Sequence, residues 1–152
     1  MAETSRHRSV ADAARAWAAR MSFVFGVFAV SGFVTSAVVF AKAPNLWLGS
    51  AGAAVAAGLG GATGWAVTCG RLPRPAWWRV AIAGGLGGVF LHPYFWFLGG
   101  CLSGRLPTMS EVLTGTQLSL MIVGIITIPA GVAASLCCRA LAGRHFAGRR
   151  AA

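Results

Sequence analysis

The chain has 152 residues, 57% of them hydrophobic and only 11% charged, with a mean hydropathy of +0.70. Soluble domains carry roughly 25% charged residues, and a chain of 15.6 kDa has too little interior to hide this much apolar side chain from water. The net charge of +10 invites a nucleic-acid partner. The arginines, however, are spread over segments that flank apolar runs, and no nucleic-acid motif is present, so attraction to anionic lipid head groups is the more economical account.

Residues 1–20 form a basic N-terminal segment. Within it "SVADAARAWAAR" at 9–20 has a helical pattern, with Val10, Ala13, Ala14 and Trp17 on one face and Asp12 and Arg15 off it. Two readings are open: a short interfacial helix lying on the membrane, or a plain extension of the helix that follows. Residues 21–138 read as a transmembrane domain with four apolar runs, at about 21–41, 46–69, 80–102 and 117–138. About 20 apolar residues cross roughly 30 Å of hydrocarbon. There every backbone group must find a partner within the segment or in protein, which makes each run a helix. The fold class expected is therefore all-α, an integral membrane four-helix bundle. "AKA" at 41–43 has the small-x-small look of a signal cleavage site, but the first run is longer than a signal core, which favours an uncleaved anchor.

The second run is rich in small residues. Gly52, Ala56, Gly60 and Gly64 recur every four positions, with Gly49, Ala53, Ala57 and Gly61 beside them; in the third run Ala81 and Gly85, and Gly84 and Gly88, repeat the spacing. Lipid supplies no hydrophobic drive for helices to associate, and small residues four apart let backbones approach closely instead. This places the second run centrally, against the third. It also leaves small-residue surface for a second copy or for other membrane subunits.

The third run contains "GGVFLHPYFWFLGG" at 87–100, where His92 is the one ionisable group of the run and Pro93 follows it. Pro93 withholds one helix hydrogen bond and crowds the Val89 carbonyl; Pro129 sits near the middle of the fourth run. Ionisable groups inside a membrane are costly and default to functional hypotheses. His92 is thus either a proton- or solute-sensing group in a cavity opened by two kinked helices, or a neutral side chain bonded to a neighbouring helix. Thr127, Tyr94, Thr63 and Gln117 are its possible polar companions. "PTMSEVL" at 107–113 spaces Thr108 and Glu111 as a capping box for the fourth helix. "GRLP" occurs at 70–73 and at 104–107, too short an echo to establish duplication. Residues 139–152 form a short basic tail with a repeated Ala-Gly-Arg.

Charge sets the expected orientation. Arg6, Arg8, Arg15 and Arg20, then Arg71, Arg74 and Arg79, then Arg139, Arg144, Arg149 and Arg150 fall on one side, against Lys42 and Arg105 on the other. The positive-inside rule puts both termini in the cytoplasm. Trp77 and Trp78 mark that interface and Trp47 the opposite one. The bias toward Ala, Arg and Gly suggests a GC-rich bacterial genome, hence the cytoplasmic (inner) membrane.

Four cysteines (Cys69, Cys101, Cys137 and Cys138) form no CxxC and read as small apolar filler. No catalytic constellation, zinc signature or phosphate loop is present, so no catalytic residue, cofactor or metal is expected. The chain reads as a non-enzymatic scaffold, sensor or accessory subunit of a membrane complex. The alternative is a small oligomeric channel or transporter with its path near His92, Pro93 and Pro129.

Overall fold

The computed structural model describes residues 2–39, 41, 46–70, 72 and 75–148, and the side chains of 10–39, 41, 48–70, 72 and 75–141. Lys42, Arg71, Arg74, Arg149 and Arg150 lie outside the described residues, as do the side chains of Arg6, Arg8, Trp47 and Arg144. The described chain is all-α: α1 Ala2–Val39, α2 Leu46–Thr68, α3 Trp77–Leu102 and α4 Met109–Gly148. Among the described residues three segments are long and apolar enough to cross a membrane: Val10–Val39, Trp77–Leu102 and Met109–Leu141. Of the four runs the sequence leads one to expect, the uncharged 23-residue α2 is not among them; the side chains of its first two residues lie outside the described ones.

Local sequence explains the helix limits. The interfacial pattern at 9–20 is continuous with the apolar run, because the alanines and arginines between them are strong helix formers. At the other end α4 continues through Arg139 to Gly148, past the expected end at 138, for the same reason. Gly70 and Gly104 close the turns after α2 and α3 with positive φ, 53° and 80°, which glycine adopts without steric cost. The capping box forms: the Glu111 backbone N–H donates to Thr108 Oγ1 at 3.3 Å, and the Thr108 backbone N–H donates to Glu111 Oε2 at 2.8 Å.

Contacts run in chain order, α1 on α2, α2 on α3 and α3 on α4, while α1 and α4 touch only weakly. One end, carrying Arg20, Arg79 and Arg139, is packed tight; there Val24, Trp65, Cys69, Val80, Ala83, Ala134 and Cys138 form a buried cluster. Arg20 donates to the Leu72 carbonyl at 2.8 Å, tying α1 to the α2–α3 connection.

The side-chain distribution is inverted relative to a soluble protein. His92, Ser50 and Ser135 are among the most buried side chains, while Val30, Val34, Met121, Ile122 and Ile125 are exposed. In water such a surface would be an aggregation liability.

Candidate functional site

The glycines set how near the helices come. A Cβ at Gly60 would stand 2.6 Å from the Gly87 carbonyl oxygen, and one at Gly64 would strike the Ala83 carbonyl, so α2 meets α3 backbone to backbone. Gly84 and Gly88 meet α4 likewise: a Cβ on Gly88 would lie 2.6 Å from the Thr127 carbonyl oxygen, and one on Gly84 2.6 Å from Val132 Cα. Gly61 instead takes the Phe28 ring of α1, whose edge is 2.9 Å from the Cβ position of Gly87. Gly52 and Gly85 behave differently: the nearest atoms, on Phe95 and Val132, are 3.9 and 4.0 Å away. Gly87 and Gly131, absent from the rows read in the sequence, are as tightly opposed as any.

On α4 the residues facing α3 recur every four positions: Ser119, Val123, Thr127, Gly131 and Ser135. Ser135 donates to the Val80 carbonyl at 2.7 Å, Gly131 meets the Gly84 backbone, and Ser119 and Thr127 bracket His92. The stripe is legible in the sequence as a period of four, but the period does not say which neighbouring helix it meets.

His92 is 2% exposed. Its Nδ1 lies 2.9 Å from Ser119 Oγ and its Nε2 lies 3.0 Å from Thr127 Oγ1. Satisfying every donor assigns the tautomer. Ser119 has one hydroxyl proton, given to the Thr116 carbonyl at 3.1 Å, and its lone pairs receive Trp96 Nε1–H at 3.2 Å and His92 Nδ1–H. Nε2 then accepts from the Thr127 hydroxyl, so the ring is neutral and both nitrogens are partnered. The imidazole is a cross-brace spanning two turns of α4.

Of the companions expected for His92, only Thr127 touches it. Tyr94 bonds Thr63 at 3.0 Å, because position 94 lies about 200° around the helix from position 92 and faces α2 instead. Gln117 is exposed, and Ser119 takes the place assigned to it. Pro93 is half-buried and Pro129 exposed, each inside an unbroken helix, so the prolines do not separate the elements they occupy.

Beside the brace lies a cleft of about 480 Å³. α1 contributes residues from Phe28 to Val39, α2 from Gly49 to Ala57, α3 from Gly87 to Trp96 and α4 from Leu118 to Gly131. It therefore occupies the half of the molecule away from the arginine end, where α1 and α4 diverge. Its walls are apolar with a few hydroxyls, among them Ser36 and Ser50, which share a bond at 3.4 Å. Among the described residues no charged side chain lines it. Phe28 separates its floor from the buried cluster at the arginine end.

Among the described residues no group of three His, Cys, Asp or Glu side chains comes together. Cys69 and Cys138 are buried in the tight end, while Cys101 and Cys137 are exposed. Glu111, ahead of the apolar run that starts at 117, is held by both Arg105 nitrogens, at 3.0 and 2.8 Å. That guanidinium, with the Thr108 donors, pulls its carboxyl down to about 2. No family model, curated protein or solved structure matches this chain.

Proposed function

We propose that this chain is a non-enzymatic integral membrane protein that crosses the bilayer four times, with both termini in the cytoplasm, and serves as a scaffold, sensor or accessory subunit of a membrane complex. α2, uncharged and packed between α1 and α3, makes the fourth crossing. The cytoplasmic membrane of a bacterium and contact with anionic lipids follow from the arginine distribution.

The observation that carries the reading is the use made of His92. The one histidine of α3 is buried, and hydroxyls of the same chain occupy both of its nitrogens. A group spent on bracing two helices supports a structural or sensing part over a transported proton. The tight arginine end favours it too: Val24, Trp65, Val80 and Ala134 fill the space between the cleft and that end. The small residues are also largely spent within the chain, on α1–α2, α2–α3 and α3–α4 contacts. A partner would therefore dock on the larger exposed side chains or on Gly52 and Gly85.

The test is extraction of the full chain from its native membrane in mild detergent, with the mass and protein content of the particle measured. Other proteins in fixed ratio support the accessory reading. A homo-oligomer alone whose solute flux in vesicles falls when His92 is replaced by Phe would overturn it in favour of the channel.

A further inference from the structure

The cleft between α1 and α4 has a definite shape. On α1 it runs from Phe28 to Val39, roughly 17 Å of helix at 1.5 Å per residue. That is close to one leaflet, half of the roughly 30 Å of hydrocarbon in a bilayer. A volume of about 480 Å³ spread over that length gives a mean cross-section of roughly 28 Å². A slot of that length and section takes a single extended chain.

The rim argues in the same direction. On the α4 wall Leu118, Ile122 and Ile126 line the cleft and are also exposed, so an apolar edge leads into it. The described lining has no charge, and its best-placed polar group, His92, has no nitrogen to spare. An occupant therefore has nothing to ionise against, and only hydrocarbon matches the walls. An empty slot would also forfeit dispersion contacts on every wall, while tails of the surrounding bilayer are present at very high concentration.

We infer that the cleft is a binding site for one hydrocarbon tail of a bilayer lipid, which enters sideways between α1 and α4 from the leaflet away from the arginine end. The tail lies along Gly49, Ala53, Val123 and Ala130, with its end near Phe28. The site rests on the reading that the chain spans the membrane. It gives the sensing role a concrete input, since tail length or saturation would change the α1–α4 separation.

The experiment reconstitutes the full chain in phosphatidylcholine vesicles that include a lipid with a photoactivatable diazirine midway along one acyl chain, and maps the adducts after illumination. Adducts are expected on Ser36, His92 or Ser119, which lie inside the cleft, and on Met121 and Ile125, which face outward and report ordinary lipid contact. Gly49→Phe fills the slot where a Cβ meets no atom within 4 Å, and Ala130→Phe fills it from the α4 wall. Each should abolish the interior adducts and keep the outward ones, which also shows that the variant is inserted. Adducts on Met121 and Ile125 alone in the native chain would overturn the tail site and leave the spanning reading standing. No adduct on either set would overturn both.

Discussion

Replacing His92 by phenylalanine keeps a ring of similar shape in the α3–α4 interface and removes both of its hydrogen bonds. Interhelical side-chain bonds within bilayers average ~0.6 kcal/mol, with a ceiling near ~1.7. Two of them place the brace at about 1.2 kcal/mol. The lower figure applies because neither hydroxyl is orphaned. Ser119 already donates to the Thr116 carbonyl, and Thr127 can turn to the carbonyl four residues before it. His92→Ala should cost more, by a packing loss on the order of 1–2 kcal/mol, since the ring is packed between α3 and α4 on the side away from the cleft. The assay is a double-mutant cycle, His92→Phe against Ser119→Ala/Thr127→Val, with unfolding followed by circular dichroism as SDS is titrated into mixed micelles. The expected coupling is about 1 kcal/mol. A coupling within ~0.3 kcal/mol of zero, the scatter of independent sites, would refute the brace. Nitrogen-15 spectra of the imidazole provide a second check, and a proton on Nε2 in place of Nδ1 would refute the order of donors.

Gly60→Ala puts a methyl 2.6 Å from the Gly87 carbonyl oxygen and should destabilise by ~1–3 kcal/mol through forced separation of α2 and α3; Gly26→Ala, which meets no atom within 4 Å, should be neutral or stabilising in the same SDS titration. For Glu111 the folded carboxyl titrates near 2 and the unfolded one near ~4.3. A depressed acid stabilises above its unfolded value, and the contribution is lost as pH falls through the folded one. The amide of Thr108, which donates to that carboxylate, should therefore stay protected from hydrogen exchange at pH 4 and lose protection toward pH 2; loss already at pH 4, or an unchanged profile in Glu111→Gln, would contradict the cap. Native thiols report orientation: an impermeant maleimide applied to intact cells should label Cys101 and reach Cys137 only after permeabilisation, and the reverse order would invert the topology.

Secondary structure was close to the surface of the sequence, because in hydrocarbon a long uncharged run has no choice but to bond its own backbone. The all-α class, the approximate runs and the capping box at Thr108 and Glu111 were all readable for that reason. Helix ends were less so: α1 and α4 continue through alanine- and arginine-rich flanks that carry no stop signal. Which small residues oppose which was not readable. Gly60 and Gly52 belong to one row four residues apart, yet one meets the α3 backbone and the other only the Phe95 ring at 3.9 Å, since that depends on the crossing of two helices.

The site divides along the same line. His92 stood out by its cost in an apolar run, and Thr127 could be guessed from depth. The pairing of Tyr94 with Thr63, the choice of Ser119 over Gln117 and the cleft itself follow from the rotation of each helix about its axis. A period of four says that residues share a face but leaves open which neighbour that face meets. Chain composition alone decided that this protein is helical and carries runs apolar enough to cross a membrane, through the balance of hydrocarbon against charge. Only the tertiary arrangement decided that His92 joins α3 to α4 and that a cleft opens among the four helices, because those are consequences of how four rigid rods touch.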